Sequence, residues 1–141
     1  MYLPDINVWI ALAFPQHEHY AAARVWFDGS SAGRPWHFCR FAQIGFLRLA
    51  NNRKVFPQSA VTQDVAWKLY DDFLCPPRIA FAPEPPTLEL MWRQFTQLPR
   101  FSPNTWNDAY LAAFAKAGGY EIVTFDNGFT QYPGLLCTIL S

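Results

Sequence analysis

Short apolar strands that alternate with longer helical stretches predict an α/β fold, three layers deep, with a mostly parallel central sheet and helices on both faces. The strand-like stretch Tyr120 to Phe125 is of the fully buried kind, as a sheet covered on both sides requires. No internal repeat, low-complexity tract or linker divides the 141 residues, so one domain over 1–141 is expected. A hydrophobic fraction of 51% against 16% charged residues argues against disorder. A chain of this length buries roughly 70% of its unfolded surface, enough for a real core.

Taken in order, Tyr2 to Pro4 reads as the first strand, and Ile6 to Phe14 as the turn and helix that follow, closed by Pro15. A second helix is expected to open at His17-Glu18-His19 and run through Phe27, with Ala22, Ala23, Trp26 and Phe27 as its apolar stripe. Asp28 to Gly33 is loop sequence. Trp36 to Cys39 is a brief strand, and Arg40 to Asn51 a helix with Phe41, Ile44, Phe46 and Leu47 turned inward.

Thr62 is placed to cap a helix from Gln63 to Phe73, which packs through Val65, Ala66, Leu69 and Phe73. Two proline clusters, Pro76-Pro77 and Pro83 to Pro86, bracket a short strand over Arg78 to Ala82. Thr87 to Leu98 is helical, Pro99 to Pro103 a loop, and Thr105 to Ala117 a helix stopped by Gly118-Gly119. After the strand Tyr120 to Phe125 come a turn, Asp126-Asn127-Gly128, and a last strand over Leu135 to Leu140.

Composition limits the function classes. Eleven basic and eleven acidic residues leave no net charge, so binding by bulk phosphate neutralisation is not the design. Any work on nucleic acid needs a local basic patch, a metal, or both. Aromatic residues reach 18%, more than one small core uses, which points to some facing a partner; Trp9, Phe14, Trp26 and Trp106 are the candidates, each with the core as its first reading. Cys39, Cys75 and Cys137 lack disulfide or Cys-x-x-Cys spacing and read as reduced thiols. The start has no secretory pattern and no apolar run reaches membrane-spanning length, so a soluble cytoplasmic protein is expected.

Three acids carry the chemistry. Asp5 follows the first strand inside an apolar run, where an unpaired carboxylate is costly. Asp126 follows the strand Tyr120 to Phe125, and Asp108 lies in the first turn of the helix that leads into it. In open parallel sheets ligands bind beyond the carboxyl ends of the strands. Carboxylates meeting there repel, and a divalent cation with a preference for oxygen relieves them while activating water for phosphodiester hydrolysis. Each acid also has a plain reading: Asp108 in a cap with Thr105, Asp126 in a turn, Asp5 and Asn7 satisfying local backbone donors. His17 and His19, one residue apart, point away from each other on a helix and make a poor metal pair. Arg40 and Arg48 are candidate phosphate contacts.

Four patterns in order then carry a resemblance. They are Leu3-Pro4-Asp5-Ile6-Asn7-Val8-Trp9-Ile10-Ala11-Leu12, His19-Tyr20-Ala21-Ala22-Ala23-Arg24-Val25-Trp26, Cys39-Arg40-Phe41-Ala42-Gln43-Ile44-Gly45-Phe46-Leu47-Arg48-Leu49, and Asn107 to Ala115 with Ile122 to Phe129. The chain resembles PIN-domain ribonucleases, specifically VapC-type toxins of toxin–antitoxin pairs. The resemblance implies a metal-dependent endoribonuclease that uses Mg²⁺ or Mn²⁺, with Asp5, Asp108 and Asp126 on the metal. It also implies an RNA substrate, a VapB-type antitoxin and a homodimer. The family usually has Glu where this chain has Gln43, which is counted with the catalytic set as an uncharged oxygen donor. Asn7 and Thr124 are expected to orient the acids. Two alternatives stand beside this: a catalytically weakened PIN domain that binds RNA or protein, and a haloacid-dehalogenase-type phosphatase. The second wants an Asp two residues after Asp5, and the chain has Asn7.

Overall fold

The computed structural model describes residues 1–30, 33–97, 99 and 102–141. Its elements run β1 (Tyr2–Pro4), α1 (Ile6–Ala13), α2 (Tyr20–Gly29), β2 (Trp36–Phe38), α3 (Arg40–Ala50) and α4 (Gln63–Phe73). They continue with β3 (Ile79–Phe81), α5 (Leu88–Phe95), α6 (Thr105–Gly118), β4 (Glu121–Thr124), a 3₁₀ turn (Asn127–Gln131) and β5 (Cys137–Ile139). The five strands form one parallel sheet in the order β3-β2-β1-β4-β5, and helices complete the α/β/α layers.

This order determines where chemistry can sit. From β1 the chain winds outward to β2 and β3, then returns to lay β4 and β5 on β1's other side. The reversal falls between β1 and β4, and it is at the carboxyl ends flanking such a reversal that open parallel sheets receive ligands. Pro4 pairs with Val123 in the β1–β4 register, so Asp5 leaves the sheet level with Thr124.

The core is built from the strands' apolar side chains and the helix faces over them. Leu3, Trp9, Phe38, Phe46, Phe114, Ile122 and Val123 are all buried. Trp9 stacks on Phe38 with ring centroids 3.8 Å apart, and Phe14 on Phe56 at 4.2 Å. Trp9 and Phe14 are thus core residues and not partner-facing ones, whereas Trp106 is 57% exposed. In α6 four buried alanines, 109, 112, 113 and 115, accompany Leu111 and Phe114, so small side chains let this helix lie close to its neighbours. Among the described residues no helix is long and apolar enough to cross a membrane. The three cysteines are free thiols.

Several expected boundaries shift for identifiable reasons. The second helix begins at Tyr20, because His17 to His19 close a turn first: the His19 N–H donates to His17 Nδ1 at 3.1 Å and the Tyr20 N–H to the His17 carbonyl at 2.9 Å. Its far end extends through Asp28 to Gly29, residues expected in the loop; Ser31 and Ala32 lie outside the described residues. Ile44 and Val65, expected inside, are exposed, since Ala42, Gln43 and Phe46 face inward from α3, and Ala66 and Tyr70 from α4. Thr62 occupies the cap position of α4 without a side-chain bond to the helix backbone. Helix α5 stops at Phe95, where the Thr96 hydroxyl folds back onto the carbonyls of Trp92 and Arg93; Leu98, the expected last residue, lies outside the described residues. The double-glycine stop of α6 holds, with Gly119 in the left-handed region at φ 70°.

Candidate active site

Asp5 is the pivot between β1 and α1. Its N–H donates to the Val123 carbonyl at 2.8 Å, extending the β1–β4 pairing by one bond. Its carboxylate turns the other way: Oδ1 accepts the Ile6 N–H at 2.7 Å, capping α1, and Oδ2 accepts the Thr124 hydroxyl at 2.8 Å. Among the described residues no basic side chain pairs with it. Burial therefore pushes its pKa up to about 6, with smaller upward contributions from the charges of Asp108 and Asp126 and opposition from its two hydrogen-bond donors.

Thr124, fully buried at the end of β4, ties the site together. Its hydroxyl donates to Asp5 and accepts from Asn7 Nδ2 at 3.1 Å and from the Asp126 N–H at 3.0 Å. Asn7 Oδ1 in turn accepts the Phe125 N–H at 3.4 Å. One hydroxyl thus fixes the carboxylate after β1, the amide in α1 and the backbone after β4.

The other two acids come from α6 and from the segment after β4. Asp108 is half-buried in the first turn of α6, which opens at Asn104 and not through a cap made by Thr105. Burial raises its pKa, and Asp126 adds to the rise. Asp126 caps the 3₁₀ turn, Oδ1 accepting the Gly128 N–H at 2.7 Å, where a simple turn was expected. The three acids act on one another electrostatically, but among the described residues no three His, Cys, Asp or Glu side chains converge closely enough to share an ion.

Gln43 is engaged by Arg40 and Tyr70. It is buried, its Oε1 accepts from Arg40 Nη1, and its amide lies against the Tyr70 hydroxyl. His19 stacks on Phe125 at 4.3 Å, with His17 5.7 Å away. One residue that sequence reasoning passed over feels the charges of two of the acids. Tyr132, 3% exposed, has a buried hydroxyl with no hydrogen-bond partner among the described residues, and its pKa is pushed up to about 12 by burial and by the charges of Asp108 and Asp126. Nothing in the stretch Gln131-Tyr132-Pro133 signals this. A buried donor without an acceptor is costly unless a ligand or water completes it. Carboxylate and phenol oxygens are donors of the kind a hard divalent ion takes, although in this structure the three acids do not converge on a shared ion position.

Fold and candidate site together define a class: parallel α/β proteins with carboxylates along the carboxyl edge of the sheet. The chain belongs to the PIN-domain family, whose model matches residues 2–135. Ribonuclease VapC41 of Mycobacterium tuberculosis is 44% identical to it, over 100% of this chain and 99% of its own. Solved structures share the fold at lower identity. VapC20 of Mycobacterium tuberculosis, described as a sarcin-ricin loop cleaving toxin, superposes with a TM-score of 0.69 at 14% identity, covering 96% of this chain and 97% of its own. VapBC2 of Rickettsia felis, bound to a DNA fragment from its promoter, gives 0.69 at 14% identity, covering 99% and 98%. PIN-domain VapC ribonucleases generally depend on a divalent metal.

Proposed function

We propose that this chain is a metal-dependent endoribonuclease, the toxin of a VapBC-type pair. The full-length likeness to a VapC ribonuclease supports the activity. The observation that carries the chemistry is Asp5: a part-buried carboxylate that, among the described residues, has no cationic partner, is lifted toward neutrality by desolvation, and feels the charges of Asp108 and Asp126.

In this reading Asp5, Asp108 and Asp126 hold the ion, Mg²⁺ or Mn²⁺, both of which suit an all-oxygen set. When bound, it supplies charge stabilisation at the phosphate and a more acidic water. The chain's own contribution is orientation. Thr124 and the Ile6 N–H each occupy one Asp5 oxygen from the protein side, so the carboxylate cannot swing away from the carboxyl edge of the sheet. Asp126 is held by Gly128, and Asn7 braces Thr124 and Phe125. Tyr132 offers a proton donor beside Asp108 and Asp126 for whatever oxygen occupies that space.

The same reading brings an RNA substrate, a VapB-type antitoxin, a homodimer and a cytoplasmic location, where such a substrate is met. Incubating the purified chain with structured RNA in Mg²⁺, Mn²⁺ or EDTA tests it. Internal cleavage that EDTA stops, and that Asp5→Asn or Asp108→Asn abolishes, is the expected result. Full activity in either variant sinks the proposal.

A further inference from the structure

We infer that Arg40, held in place by Gln43 and Phe81, is a phosphate-binding residue that engages the RNA backbone beside the cleavage site. The inference rests on the ribonuclease reading and names a contact that reading leaves open.

Arg40 is the first residue of α3, directly after β2. β2 lies beside β1 in the parallel sheet, so Arg40 and Asp5 both follow carboxyl ends of neighbouring strands. The Arg40 side chain is exposed yet constrained at two points. Nη1 donates to Gln43 Oε1, and the guanidinium lies over the Phe81 ring, 4.6 Å from its centroid. Gln43 is itself buried and backed by the buried Tyr70, so its carbonyl is a fixed acceptor. Among the described residues no carboxylate pairs with Arg40, whereas Arg24, Arg34, Lys68 and Arg93 each pair with one. A guanidinium oriented by a neutral amide and an aromatic face keeps its full charge and its remaining donors for an incoming anion.

The choice of amide over carboxylate matters here. A Glu at 43 would neutralise Arg40 with an ion pair, whereas Gln43 orients it and leaves the charge free. In a chain with no net charge, such an unpaired and immobilised cation at the acid-lined edge is where phosphate selectivity can reside. Phe81 lies on β3, two strand positions from β1, so the guanidinium leans about 10 Å to one side of Asp5's strand. That offset suits a phosphate flanking the scissile one.

The test measures binding of a fluorescent, non-cleavable single-stranded RNA in EDTA by anisotropy across a salt series, alongside calorimetric titration with Mn²⁺ alone. R40A is expected to weaken RNA binding by roughly tenfold and to flatten the log–log salt slope by about 0.7, the value for one phosphate contact on a single strand. Q43E should do the same, and the double variant no more than R40A, because both remove one contact. Mn²⁺ affinity should stay unchanged in all three. Arg40 is exposed, so R40A keeps the test decisive if a buried Glu at 43 prevents folding. Wild-type RNA binding and salt slope in R40A overturn the inference while cleavage by the wild type leaves the ribonuclease reading intact. Mn²⁺ affinity raised tenfold or more in Q43E also overturns it, by assigning Gln43 to the metal. A wild-type chain that neither binds nor cuts RNA overturns both readings.

Discussion

The Thr124 hydroxyl donates to Asp5 Oδ2 at 2.8 Å across 119 residues of chain, and through that bond the ends of β1 and β4 act as one unit. The same oxygen accepts from Asn7 and from the Asp126 backbone, so its removal strands three polar groups at once. Thr124→Val should therefore lower stability by about 1–3 kcal/mol and cut cleavage sharply. Thr124→Ser, which keeps the hydroxyl, should recover most of both. Urea denaturation beside a cleavage assay reads the difference, and a valine variant as stable as wild type removes Thr124 from its central role.

Asp5 makes metal-free stability depend on pH in a defined sense. Its folded pKa of about 6 lies above the ordinary 3.8, so the folded state holds the proton more tightly than the unfolded one. The stabilisation is complete below about pH 4 and is lost as pH rises through about 6, by up to about 3 kcal/mol. Asp5→Asn, which can still accept from Ile6, should erase that slope. It should be more stable than wild type at pH 8 in EDTA while inactive as a nuclease. Thermal melts from pH 4 to 8 decide this, and an unchanged slope in the variant refutes the assignment.

Tyr132 gives a prediction with two opposite parts. Its buried hydroxyl has no hydrogen-bond partner among the described residues, so Tyr132→Phe should leave metal-free stability level or raise it by about 1 kcal/mol. If that hydroxyl serves the site beside Asp108 and Asp126, the variant should also need several-fold more metal for half-maximal cleavage. A metal requirement equal to wild type would confine Tyr132 to packing against Phe95 and Phe129.

Gly45 sets the distance between α3 and α1. A Cβ there would come within 2.1 Å of Ile6 Cδ1 and 2.8 Å of Cγ1. Gly45→Ala should cost about 1–3 kcal/mol by overpacking. Because the Ile6 N–H donates to the Asp5 carboxylate, cleavage should fall as well. Adding Ile6→Ala should relieve much of the stability loss. If the pair proves no more stable than Gly45→Ala alone, the clash is not the cause.

How far the fold could be read ahead depended on how local each signal was. Pro4-Asp5, the proline brackets around β3 and the Gly118-Gly119 stop are short-range signals, and the elements they bound came out within one or two residues. The opening of α2 did not, because His17 to His19 make bonds among themselves that compete with helix. The inward faces of α3 and α4 were partly misread, since Ile44 and Val65 are apolar yet exposed, and Gln43 is polar yet buried. Periodicity registers polarity, whereas burial depends on which neighbour covers the face.

What the sequence by itself determined was the alternation of strand and helix, and with it a parallel sheet whose carboxyl edge receives Asp5 and Asp126. Those features follow from backbone preference and hydrophobic pattern, which act over a few residues. Only the tertiary structure decided that β4 returns to lie beside β1, that Thr124 clasps Asp5, that the Tyr132 hydroxyl is buried without a partner among the described residues, and that Gln43 turns to Arg40. The physical reason is distance along the chain. Asp5 and Thr124 meet because the strand order closes a loop of more than a hundred residues, and no local preference of either residue encodes that closure.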